Sequence, residues 1–323
     1  VSYGQARILI GRESIDDRLA GAGASPRERQ KLSLIVDVRA YARDVIGLAH
    51  TSSYTTIFDT EGEAAAWNLS ACPDDSFTPY TWTFPFVGEM PYKGYFFRAP
   101  AEEEGQDLRA RHMDVVVRPV AAYSTLGWLS DPIFTPMLAE TDEFLANTIV
   151  HELAHATVFI EKDAEFNETL ATFIGNQGSR DYFEARGGTG DLRISRASDT
   201  EHDEDVLEVE IKALRSRLEA IYALPIPRPE KLRQKADALR DFREHYKMQV
   251  RPKLRASSNC DWILSVELNN ALILGLERYH GDLGIFLALH KKLGSNLRST
   301  VLKLREIADT ENPRATLTSL AKS

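Results

Sequence analysis

The apolar positions of this chain repeat with two periods, and they divide it into strand and helix segments. Met113-Asp114-Val115-Val116-Val117-Arg118 is a short β-branched run and predicts the best strand. Thr56-Ile57-Phe58 and Thr81-Trp82-Thr83-Phe84 predict two more, and Pro91 to Phe97 predicts a turn into another. Elsewhere the spacing is helical. Gly11 to Leu19 reads as a short helix and Ala101 to Arg111 as a polar one. Ser25-Pro26-Arg27-Glu28 places a capping residue, a first-position proline and a capping-box glutamate in order. Leu32, Ile35, Val36, Val38 and Val45 then give an apolar side running to Leu48. No Gly or Pro interrupts Asp142 to Ile160, where Ile149, Leu153, Ala156 and Ile160 form a stripe. Thr141 is the expected N-cap of that helix, and Asp142 and Glu143 suit its positive end.

The C-terminal part reads as almost wholly helical, over Val206–Tyr222, Glu230–Val250, Asp261–His280, Gly284–Leu293 and Leu297–Ile307. Gly187-Gly188-Thr189-Gly190 marks a break. The expected architecture is therefore α+β and predominantly helical, with a small sheet. Residues 1–186 would form one lobe, and residues 187–323 a helical lobe that closes a cleft over it.

Composition narrows the class. The 323 residues carry 39 Lys and Arg against 48 Asp and Glu, a net charge of −9, which argues against a nucleic-acid partner. The acidic run Glu201-His202-Asp203-Glu204-Asp205 reads as a solvated helix start, because it lacks the glycine and ligand spacing of a calcium loop. Cys72 and Cys260 are far apart in sequence and outside any metal pattern, so both are expected as free structural thiols. No apolar run approaches ~20 residues, so no transmembrane span is expected. The chain opens at Val1 without a signal peptide, like the mature part of an exported protein.

The chemistry concentrates in His151-Glu152-Leu153-Ala154-His155. Two histidines four apart on a helix sit one turn apart on one face and can reach a single ion. The H-E-x-x-H spacing points to zinc, with Glu152 as the base that takes a proton from water. A third ligand must come from elsewhere, and Glu161, Asp163, Glu165 and Glu168 are the candidates. Asp163 suits the cap of a second helix running through Asn176. Glu168 lies inside that helix and is the preferred ligand. Ala171 and Thr172 one turn on are small enough to let the two helices approach. Glu165 would then orient a ligand histidine from behind. Tyr123 and Tyr279, the latter with His280 beside it, are candidates for a hydrogen bond to the reacting carbonyl. Ala121 to Leu126 would be an edge strand that binds peptide by backbone pairing.

His151 to His155, followed by Phe166-Asn167-Glu168-Thr169-Leu170-Ala171-Thr172-Phe173, resembles the gluzincins. In those enzymes a glutamate on a following helix is the third zinc ligand. More narrowly, the chain resembles a bacterial family of predicted zinc peptidases named as aminopeptidases. Pro91 to Phe96, Ala122 to Trp128 and Leu268-Asn269-Asn270-Ala271 carry that likeness, which spans about Gly4 to Phe286. The resemblance implies a zincin-like core, a Zn²⁺ cofactor held by His151, His155 and Glu168, and a peptide or protein substrate. It also implies an extracytoplasmic or cell-envelope location, because many members begin with a lipoprotein signal. Many members carry a cysteine pair at the positions of Thr83 and Glu89, which this chain lacks. The G-x-M-E-N loop that anchors a free amine in large zinc aminopeptidases is absent, so an endopeptidase of the same mechanism is an alternative. A noncatalytic, zinc-containing peptide-binding protein and a metal-free helical interaction module are the readings from other classes.

Overall fold

The computed structural model describes residues 2–84, 88–120, 130–161, 163–277 and 283–322, without the side chains of 2–6, 164 and 277. The fold is α+β and predominantly helical. The chain forms two compact units, each assembled from separated stretches: 1–65, 121–197 and 279–323, and 66–120 with 198–278. The sequence pattern suggests a single break at Gly187, whereas the long helix Leu192–Tyr222 gives its first residues, through Ala197, to the first unit.

Three helices form the heart of the first unit. Pro26–Tyr41 starts where Ser25 accepts a hydrogen bond from the Glu28 N–H. Glu28 does not complete the expected box, because its carboxylate takes Arg18 instead. Asp142–His155, the motif helix, is capped by Thr141 through the Phe144 N–H. Ala164–Gly187, the glutamate helix, is capped by Asp163 through the Phe166 N–H. Leu32, Ile35 and Val38 of the first helix are fully buried, as are Leu145, Ile149 and Val150 of the second and Leu170 and Ile174 of the third. Each such side chain contributes about 1.5–3 kcal/mol by leaving water. Val36 and Val45, expected on the buried side, are exposed instead. Lys31 is almost fully buried and ties the start of the motif helix to Pro26–Tyr41, donating to Asp142 Oδ1 at 2.7 Å.

The motif helix and the glutamate helix pack closely. A Cβ on Gly175 would lie 3.1 Å from His151 Cβ, and one on Gly178 would lie 2.8 Å from Val150 Cγ1. Two glycines, more than Ala171 and Thr172, therefore set the approach. A small sheet accompanies these helices, in the order Glu13–Ser14, Thr56–Phe58, Ile133–Phe134. Its first pair is antiparallel and its second parallel, with Ile57 opposite Ile133.

In the second unit, Lys93–Tyr95, Ala66–Pro73 and Met113–Val120 form an antiparallel sheet in that order. The two long strands pair over their full length, with Leu69 opposite Val117. Leu69, Ala71 and Val115 pack with Leu108 of the helix Arg98–Ala110. A separate hairpin pairs Trp82–Phe84 with Gly88–Met90 and sets Thr83 opposite Glu89. A larger helical core contains Leu207, Ile211, Leu214, Leu218, Phe242 and Tyr246.

Two expectations fail in this unit. The acidic run is no solvated helix start: it lies inside Leu192–Tyr222, and Asp203 is fully buried, accepting from the Arg255 and Ala256 N–H groups at 2.7 Å each. Asp261 to His280 is not one helix either, since a short turn at Asp261–Leu264 precedes the helix Asn270–Glu277. Asn269 stands outside that helix and caps it through the Leu272 N–H. Its amide also donates to the Val115 carbonyl, and Asn270 donates to the carbonyls of Pro73 and Ser76. The paired asparagines thus bind a helix to the sheet. Cys72 and Cys260 are buried and unbridged.

Candidate metal centre

The motif helix is shorter than the Gly- and Pro-free stretch suggests. It ends at His155, and Ala156 is exposed. Thr157 explains part of this, because its hydroxyl donates to the Leu153 carbonyl at 2.6 Å and accepts from the Ala49 N–H at 2.9 Å. A side chain that bonds the backbone in this way competes with the helix. The chain then turns, and Asn167 holds the turn. Its carboxamide accepts from the Ile160 N–H at 2.9 Å and donates to the Ile160 carbonyl at 2.8 Å.

Asn167 precedes Glu168, and the clamp delivers Glu168 to the two histidines. His151 Nε2 and His155 Nε2 lie 3.2 Å apart. Glu168 places one carboxylate oxygen 3.5 Å from His151 Nε2 and the other 3.6 Å from His155 Nε2. The three side chains form a cluster of the size that holds a metal ion. Zinc binds nitrogen and oxygen ligands at about 2.0–2.2 Å, so neighbouring ligand atoms in a tetrahedron stand roughly 3.3–3.6 Å apart. The two nitrogens stand close to that range, the carboxylate bridges them with one oxygen on each side, and one ligand atom from each residue lies within 4.8 Å of the others. Two imidazoles with one carboxylate form a donor set that suits zinc. The residues fit the ion.

The same three side chains are coupled electrostatically. Burial works to raise the Glu168 pKa, but hydrogen bonds and the charges of both histidines hold it down to about 2. Burial lowers the His155 pKa, while Glu168 and then Glu152 outweigh it and raise the value. Each partner thus favours charge on the other; a metal cation would take the place of the imidazole protons, keeping Glu168 ionised and both histidines neutral. Asp163 is the helix cap and Glu165 binds Arg314 at 3.1 Å, so neither joins the cluster. Glu161 is not part of it either.

Glu152 Oε2 is shielded from solvent and has no hydrogen-bond partner among the described residues, and the same is true of His155 Nδ1. Glu152 lines a cavity of about 10 Å³ with Ser53, Tyr54, Asp131 and Leu153. Tyr54 is almost fully buried, and its backbone is left-handed at φ 62°. Burial, with Glu152 and then Asp131 nearby, pushes its phenol well above the ordinary value. Tyr54 and Asp131 were not among the sequence candidates, because they converge on Glu152 from distant parts of the chain and no local spacing marks them. Tyr123, Tyr279, His280 and the expected edge strand at 121–126 lie outside the described residues.

None of the described helices is long and apolar enough to cross a membrane. No curated protein and no solved structure matches the chain. One family model does, over residues 1–317, and its description is "Putative aminopeptidase". With that match over nearly its whole length, the chain belongs to the family of that name, a name that denotes a peptidase and hence a hydrolase.

Proposed function

We propose that this protein is a gluzincin-like zinc metallopeptidase, with His151, His155 and Glu168 as the metal ligands and Glu152 as the general base. The observation that carries the reading is the convergence of three side chains: the two Nε2 atoms stand 3.2 Å apart, and Glu168 spans them with one oxygen 3.5 Å from His151 and the other 3.6 Å from His155. When bound, zinc polarises the scissile carbonyl and lowers the pKa of water toward ~7. Glu152 follows His151 directly and points about 100° round the helix from it, which suits a base better than a ligand. Its carboxylate takes the proton of the attacking water and passes it to the leaving amine. Glu168 neutralises part of the positive charge and fixes both imidazoles. The unpartnered Glu152 oxygen supports a working base over a noncatalytic peptide binder.

The test is elemental analysis for zinc, run beside peptide hydrolysis. One zinc per chain and turnover are expected in the native protein, and loss of both in His151→Ala. A native chain that holds no zinc after supplementation, or a variant that keeps its zinc, would overturn the ligand assignment. Substrates with free and acetylated N-termini separate the aminopeptidase from the endopeptidase.

A further inference from the structure

A second polar cavity lies in the first unit. Its volume is about 220 Å³, and its walls include Val36, Arg39, Arg43, His50, Thr51 and Leu153. No carboxylate lines it among the described residues. Arg39 is half-buried, and it forms no ion pair among the described residues. Its Nη2 donates to the Thr51 carbonyl at 3.1 Å. Its Nε is shielded from solvent and has no hydrogen-bond partner among the described residues. Arg43 is held bidentately by Asp44, with both bonds at 2.6 Å, which leaves its Nη1 to donate. Burial, then the like charge of Arg43, push the Arg39 guanidinium below its ordinary value, against a weaker pull from Asp16.

A half-buried guanidinium with an unmet donor is costly to keep, because charged groups removed from water need compensation. A cavity with two guanidinium groups, an imidazole and a hydroxyl offers that compensation to an anion. The planar fork of arginine matches carboxylate and phosphate oxygens. The volume falls below the roughly 300–1,000 Å³ of pockets that hold drug-sized ligands. It therefore suits a ligand of a few heavy atoms.

We propose that the Arg39 cavity is a binding site for a small oxyanion, a carboxylate or a phosphate. Arg39 is the principal donor, and Arg43 and His50 hold the rim. The site is distinct from the His151–His155–Glu168 cluster, and it stands whether or not the peptidase reading does. Leu153 and Thr51 also line the small cavity beside Glu152, so the two cavities share a wall.

The experiment is calorimetric titration of the full chain with inorganic phosphate and, separately, with acetate, in chloride at constant ionic strength. Saturable one-to-one binding of at least one probe is expected, and comparison of the two tells phosphate from carboxylate preference. Arg39→Gln should weaken it about ten- to a hundredfold, the loss expected for hydrogen bonds to a charged group. Circular dichroism confirms that the variant folds. If it does not, the exposed pair Arg43→Ala/His50→Ala serves instead and should weaken binding at least about threefold. No saturable binding of either probe overturns the proposal. So does affinity unchanged in the folded variant, the result expected if the anion binds at the histidine cluster.

Discussion

Asn167 and Ile160 are joined by two hydrogen bonds, one accepted and one donated by the same carboxamide. The side chain completes the backbone of the turn as another strand would. Asn167 is almost fully buried, so neither bond is readily replaced by water. The turn links the end of the motif helix to the start of the glutamate helix, and Glu168 follows the clamp directly.

Asn167→Ala should therefore cost more than a typical buried polar residue. The Ile160 N–H loses its partner and the Ile160 carbonyl keeps only the long Asp163 N–H contact at 3.5 Å, at about 1–3 kcal/mol for a group left wholly unpaired and less for the other. A total loss of about 2–4 kcal/mol in denaturant unfolding is expected, with weaker zinc retention against a chelator. Asn167→Asp is the sharper variant, since aspartate still accepts from the N–H but faces the carbonyl with a second acceptor. Unchanged stability in both variants would show that the clamp is dispensable.

Glu152→Gln should keep zinc and fold and lose turnover. Glutamine has nearly the same shape but cannot take a proton, so the general-base contribution of about 10²–10⁴-fold should vanish. Zinc content, melting temperature and peptide hydrolysis are measured on one preparation. Retained turnover would remove Glu152 from the mechanism, and lost zinc would show that it is a ligand.

Much of this site is legible in the sequence because its logic is local. Histidines four apart share a helical face whatever the fold, and Asp163 announces the second helix by capping it. Other parts depend on contacts between distant residues. Ala171 and Thr172 stand out in the sequence as the small residues, but it is Gly175 and Gly178 that His151 and Val150 lie against, and only the packing shows it. Asp203 reads as a solvated acid because nothing nearby shows that the Arg255 and Ala256 N–H groups need it. The strand Ala66–Pro73 mixes Asn68 and Ser70 with Leu69 and ends in proline, so its local pattern is weak. Its pairing with Met113–Val120 supplies what propensity does not.

The Thr83–Glu89 pairing gives a test of the hairpin. Both residues are exposed and directly opposite across Trp82–Phe84 and Gly88–Met90. Cross-strand partners stand about 4.5–5.5 Å apart at Cα, within the range a disulfide spans. The double variant Thr83→Cys/Glu89→Cys should therefore cross-link under mild oxidation, measured by thiol titration and by the mass loss of two hydrogens. Persistent free thiols would contradict the register. The closed loop is short, so any stabilisation should be small.

Asp163 gives a prediction about acid. Its carboxylate caps the glutamate helix and binds Arg314 through two bonds of 2.6 Å. The hydrogen bonds from Arg314 hold its pKa below the ordinary 3.8, with burial opposing them and the Phe166 N–H assisting. A folded-state pKa below the unfolded one means that the unfolded chain binds the proton more readily. The stabilisation is then fully present above about pH 4 and is lost as pH falls through the folded value. Asp163→Asn isolates this contribution, because asparagine also caps a helix but carries no charge. The native chain should melt higher than the variant near neutral pH, and the gap should close as pH drops below 4. Arg314 is half-exposed, so the gap should be modest and should narrow in high salt. A difference that stays constant from neutral pH into acid would show that the pair contributes through shape rather than charge.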